Sequence, residues 1–146
     1  NNLNVAVLTD FDRGQRRKLD DLYKSELLER ERIVLATEVT GQDEADTEDF
    51  FDNAFFVDLV NATYELTGKS KLTIQKLIEA DEKTVRKVKK AEAYFRVLPE
   101  TVPVFSHYDP AYHLLTHPEL LDENRKSVQK SLEAFQSAIE RINEYI

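Results

Sequence analysis

The sequence predicts an α/β fold, a partial parallel sheet with flanking helices over residues 1–68, followed by a helical C-terminal region over 69–146. Two short apolar runs, Val5 to Leu8 and Ile33 to Leu35, have the unbroken pattern of strands covered on both faces. Between them Leu19, Leu22, Tyr23 and Leu27 recur at helical spacing. Beyond Gly68 no further strand pattern appears.

The first run ends in Asp10 and Asp12, and a helix over about 14–28 follows, its exposed face carrying Arg16, Arg17 and Lys18. Strand, helix and strand make a βαβ unit, so the two strands should be parallel. Residues 39–47 hold Gly41 and a cluster of acids and read as a loop at the same sheet edge as Asp10. A helix over about 52–66 places Phe56, Leu59, Val60 and Tyr64 on one face, and the GKSK stretch from Gly68 ends it. Helical segments over 72–80 and 84–97 come next, before Pro99 and Pro103 break the pattern. The last helix carries Val128, Leu132, Phe135, Ile139, Ile142 and Ile146 in steps of four and three, a stripe that must be buried against something.

The chain has 146 residues, enough for one domain, or a small domain with a helical appendage, and a real core. No run reaches the length of a membrane span, and no segment has the form of a signal peptide. The absence of cysteine removes disulfides, thiolate catalysis and cysteine zinc sites, and accords with a cytoplasmic protein. The absence of Met, with Asn1 first, gives the expectation of a piece of something longer.

The net charge of −8 is segregated along the chain. Between Ile33 and Gly68 there are acids and no Lys or Arg, whereas Lys69 to Arg96 is dominated by bases, among them Lys76, Lys83, Arg86, Lys87, Lys89 and Lys90. Asp10 and Asp12 sit where open α/β sheets place their ligands, and alternation puts both on one side of an extended backbone. Asp46 and Glu48, within the DEADTED stretch, repeat the spacing after the second strand. Two carboxylate pairs at one edge, with no basic partner in sequence, suit hard divalent cations, because Mg²⁺ and Mn²⁺ take oxygen ligands and neutralise the repulsion. Taken alone, the Asp10–Asp12 pair also fits an aspartate capping the following helix.

VAVLTDFDRGQRRK resembles the D-x-D strand and following helix of a Toprim domain, the metal-binding fold of topoisomerases, bacterial primases and a group of nucleases. DTEDFFD followed by FFVDLVNATYE resembles the OLD (overcoming lysogenization defect) family of ATP-dependent nucleases, as do KVKKAEAYF and FSHYDPAYHLL further on. The resemblance implies a metal-dependent DNA endonuclease using two Mg²⁺ or Mn²⁺ ions, with Asp10, Asp12, Asp46 and Glu48 as metal ligands. It implies Lys87 as the catalytic lysine, with Lys89, Lys90 and Lys76 as competitors for that role. Lys83, Arg86, Lys89 and Lys90 are the candidate contacts to DNA phosphates. Residues 1–68 would be the C-terminal half of the Toprim domain. ATP would act only through an upstream domain, a homo-oligomer is a possible assembly, and antiviral defence is the implied biology. Gly14 stands one residue earlier than in the usual D-x-D-x-x-G pattern, so the turn into the helix is expected to differ.

Other classes share parts of the pattern. Haloacid dehalogenase-like phosphatases also begin with a strand and D-x-D, and Thr37 would stand for their second-motif hydroxyl, but their hairpin after D-x-D is missing. A non-catalytic interaction module would use the final helix to pair with a partner helix. Residues 72–95 have the look of a helix-turn-helix. His113 and His117 have the spacing of a zinc pair without the glutamate of H-E-x-x-H, and read as structural.

Overall fold

The computed structural model describes residues 5–14, 16–24, 32–122 and 124–145. They form a mixed α/β fold, mostly helical, with a two-stranded parallel sheet. Two compact units divide the chain, one from residues up to Phe50 together with Leu132 onward, the other from Phe51 to Ser131. The division between these units falls after Phe50, and the first unit is discontinuous in sequence. The reason is packing: the helix after Phe51 shares its core with later helices, while the end of the last helix packs with the strands.

In the first unit, β1 (Val7–Thr9) pairs with β2 (Ile33–Leu35) in the parallel register Val7 to Ile33, Leu8 to Val34 and Thr9 to Leu35. The helix α1 (Arg16–Lys24) connects them, with Leu19 buried and Arg17 and Lys18 exposed. The continuation of this helix to Leu28 lies outside the described residues. Ile33 and Val34 of β2 are buried as expected, but Val5 and Val7 are exposed. Alternation turns these two valines to one side of the strand.

Directly after β2 the chain enters a short helix, α2 (Ala36–Thr40), so Val39 and Thr40 belong to a helix rather than to the expected loop. Gly41 ends it with φ 71°, a left-handed conformation that glycine adopts without a Cβ penalty, and its N–H donates to Thr37 O at 2.9 Å. Besides Leu19, Ile33 and Val34, this unit buries a cluster of small residues around one phenylalanine. Ala36, Ala45, Phe50 and Ala138 are buried together, with Leu8, Val39, Ala134 and Phe135 packed against them. Phe50 meets Phe135 edge-to-face at 5.2 Å between ring centroids.

The second unit contains α3 (Asn53–Thr63), α4 (Ile74–Ala80), α5 (Lys87–Phe95), α6 (Tyr108–Thr116) and the start of α7 (Lys126–Asn143). Asp52 caps α3 by accepting from Ala54 N–H, and Thr73 caps α4 by accepting from Lys76 N–H. Phe56, Val57, Val60, Leu72, Leu77, Val88, Ala91, Tyr94, Phe95 and Phe105 form one buried cluster. Buried polar groups are answered locally. Ser131 Oγ accepts from Asp52 N–H and donates to Ser127 O, and the Asn61 side chain pairs with both backbone groups of Leu72.

The stripe expected along α7 is modified. Val128 and Ala138 are buried, but Ile139 is 56% exposed. Ala138 replaces it in the core because a small side chain lets the helix backbone approach Ala36 and Ala45. No helix among the described residues is long and apolar enough to cross a membrane.

Candidate functional site

Immediately beyond β1 the chain makes an isolated antiparallel bridge, with Phe11 N–H donating to Ala45 O at 2.8 Å and Ala45 N–H donating to Phe11 O at 3.0 Å. This bridge sets the register of the two acidic segments. Asp10 and Asp12 flank Phe11, while Glu44 and Asp46 flank Ala45, so antiparallel pairing sets Asp10 across from Asp46 and Asp12 across from Glu44.

Backbone amides hold several of these carboxylates. Thr47 N–H donates to Asp10 Oδ1 at 2.7 Å, and Arg13 N–H donates to Glu44 Oε1 at 3.2 Å. Asp46 N–H donates to Asp49 Oδ2 at 2.8 Å, which closes the 3-10 turn Thr47–Phe50. Asp46 and Asp49 are buried, whereas Asp10, Asp12 and Glu48 are half-buried. Glu48 lies in the first turn of the 3-10 segment, where its Oε2 accepts from Thr47 Oγ1 at 3.4 Å. A Cβ at Gly14 would stand 3.1 Å from Asp12 Oδ1, close enough that the Asp12 side chain would have to shift by a few tenths of an ångström.

Asp10, Asp12 and Asp46 of the expected set are thus carried to one strand end by a two-strand bridge. Glu48 sits one step further on, in the turn. Glu44 was missed, although its spacing to Asp46 repeats that of Asp10 to Asp12. Asp49 was also missed, and the signal was its position three residues after Asp46 at the start of a turn. Among the described residues no group of three or more His, Asp or Glu side chains is arranged to hold a metal ion. The donors present are all oxygens, which suits Mg²⁺ or Mn²⁺ bound through one or two carboxylates with water or substrate phosphate completing the shell.

The basic residues belong to the second unit. Lys87 opens α5 and is only 7% exposed, so its aliphatic stem is part of the interior and it is not displayed on the surface. Lys90, expected on phosphate, directs its ammonium to the carbonyls of Ile78 at 2.9 Å and Asp81 at 2.6 Å, which caps the end of α4. Lys76 likewise donates to the carbonyls of Lys69 and Lys71 at 2.9 and 2.6 Å. Lys89 pairs with Glu92 at 3.0 Å. Arg86 precedes α5, half-buried, and its N–H donates to Thr84 Oγ1. Lys83 is exposed.

His113 and His117 stack, their ring centroids 4.1 Å apart, and His117 Nδ1 lies 3.0 Å from His113 O at the end of α6. Nearby, Tyr64 closes a polar network: its hydroxyl accepts from Ser106 N–H at 2.8 Å and donates to Asp109 Oδ2 at 2.9 Å. Burial, opposed by the Ser106 amide and reinforced by the Asp109 carboxylate, pushes the Tyr64 hydroxyl up to about 12. Asp109 therefore ties α6 to the end of α3.

No family model, curated protein or solved structure matches this chain.

Proposed function

We propose that this chain is the DNA-cleaving portion of an OLD-like ATP-dependent endonuclease, hydrolysing phosphodiester bonds with Mg²⁺ or Mn²⁺. The observation that supports it is the Phe11–Ala45 bridge, which sets Asp10 across from Asp46 at the C-terminal end of β1. A parallel sheet places ligands at that end, and carboxylate oxygens brought together there are the donors that Mg²⁺ or Mn²⁺ takes.

Asp10 and Asp46 would hold the ion, with Asp12 and Glu48 completing its outer contacts. The bound metal would supply Lewis-acid stabilisation of the phosphate and an activated water. The amides of Thr47 and Asp46 fix the carboxylates of Asp10 and Asp49, so the acids need little reorganisation on binding. Lys83 and Arg86 are the proposed phosphate contacts; Lys87 keeps the catalytic assignment only if its ammonium reaches solvent on DNA binding. A role in antiviral defence within a larger protein is what the resemblance implies, and the absence of cysteine accords with the cytoplasm.

Adding Mn²⁺ should broaden the amide resonances of Asp10 to Asp12 and Ala45 to Thr47, and should raise the melting temperature, by about 1.4 kcal/mol of stability at tenfold Kd. Asp46→Asn should remove the increment, and Mn²⁺-dependent nicking of supercoiled plasmid by the protein with its upstream segment should vanish with it. An increment unchanged in Asp46→Asn would exclude this edge as the metal site.

A further inference from the structure

The histidine pair that closes α6 does little to brace the fold. His117 is exposed and His113 half-buried, and their rings stack with planes 17° from parallel. Among the described residues the His113 ring has no hydrogen-bond partner, and the His117 ring makes its contacts through Nδ1 alone. That nitrogen lies 3.0 Å from His113 O and 3.0 Å from Thr116 Oγ1. A carbonyl oxygen only accepts, so Nδ1 carries the ring hydrogen and Nε2 keeps its lone pair. Metal-binding histidines are oriented in this way, one ring N–H on a carbonyl and the other nitrogen left for the ion.

The electrostatics of this helix end favour a cation. Neither α6 nor α3, which packs against it, contains Lys or Arg. The last carbonyls of a helix carry partial negative charge. Asp109 stands one turn before His113, on the same i, i+4, i+8 stripe as both histidines. Its Oδ2 accepts from the Tyr64 hydroxyl, so this negative charge is held in place near the pair.

Donor chemistry selects the ion. Imidazole nitrogen suits Zn²⁺, Cu²⁺ and Ni²⁺, whereas Mg²⁺ and Mn²⁺ take oxygen, which separates this pair from the acidic edge of the first unit. Zn²⁺ has no geometric preference from its d electrons, and that tolerance suits two rings that must tilt out of a stack to share one ion. We propose that His113 and His117 form a Zn²⁺ site, with water completing a four-coordinate shell. The His113 ring, held by no hydrogen bond, can turn to bring a nitrogen beside His117 Nε2. The ion then links the last turn of α6 to its C-cap residue, where Pro118 stops the helix. Because it binds the folded turn, it stabilises that turn by mass action.

Zn²⁺ titration of the full chain, followed by the imidazole nitrogen resonances, tests the site. Zn²⁺ should shift the His113 and His117 signals and leave those of His107, at the other end of α6, in place. Loss of an outer-shell partner alone costs about 10–100-fold in metal affinity, so His113→Gln and His117→Gln should each weaken binding at least about tenfold. Exchange of the His117 amide, which donates to His113 O at 2.9 Å, should slow with Zn²⁺ in the parent chain and not in either variant. His117 is exposed, so its substitution leaves folding intact, and circular dichroism checks His113→Gln. Asp46→Asn should leave the histidine shifts unchanged. Absence of a shift, equal shifts at all three histidines, affinity retained in both variants, or the same shifts with Mg²⁺ would each overturn the proposal.

Discussion

The two units are held by different forces. The second unit buries Phe56, Phe95, Tyr94 and Phe105 with Leu72, Leu77 and Val88, a core of large side chains in which hydrophobic area dominates. The first unit buries Ala36, Ala45 and Ala138 around Phe50, and carries much of its order in backbone bonds, the Phe11–Ala45 bridge and the amides on Asp10, Glu44 and Asp49. Small residues in that cluster let backbones approach, and amide-to-carboxylate bonds add to the order at the sheet edge. The contrast teaches where function can reside: acids held by amides, buried or half-buried, are fixed in place at the sheet edge, whereas an aromatic interior is spent on stability.

Breaking the aromatic core should have the largest effect. Phe56→Ala, at a fully buried position, should cost about 3–5 kcal/mol and unfold the second unit at a lower urea concentration. If the units differ as described, hydrogen exchange should rise throughout α3, α4 and α5 while the Phe11 and Ala45 amides stay protected. Equal loss of protection at that bridge would erase the distinction.

The complementary change lies in the first unit. Asp49→Ala removes the acceptor of the buried Asp46 N–H and should cost about 1–3 kcal/mol. Exchange should accelerate over Thr47–Phe50, with the aromatic cluster unaffected. A larger destabilisation than that of Phe56→Ala would reverse the ranking of forces proposed for the two units.

Tyr64 sharpens the comparison with the smallest effect, because here the aromatic unit also uses a polar bond. Tyr64→Phe should cost about 1 kcal/mol near neutral pH. The hydroxyl stays neutral in the fold up to about pH 12, mainly through burial, whereas in the unfolded chain it ionises near its ordinary value. Its contribution is therefore full below about pH 10 and is lost as pH rises from there to about 12. Urea melts across this window should show a decline that Tyr64→Phe flattens, and ultraviolet titration should find one tyrosine ionising late. A decline of the same size in the variant would remove Tyr64 as its source.

The sequence by itself determined the parallel strand–helix–strand start, the helical character after Gly68 and the arrival of both acidic segments at one end of the sheet. Hydrophobic periodicity and the parallel crossover are local or topological rules, so residues a few positions apart are enough to read them. Only the tertiary structure decided that Asp10 stands across from Asp46, that Glu44 and Asp49 join them, and that Lys90 caps α4. It also decided that Ala138 rather than Ile139 is buried, and that the end of α7 packs with the strands. These depend on pairing register and close backbone approach between segments far apart in the chain, where a shift of one residue exchanges the faces and leaves local periodicity unchanged.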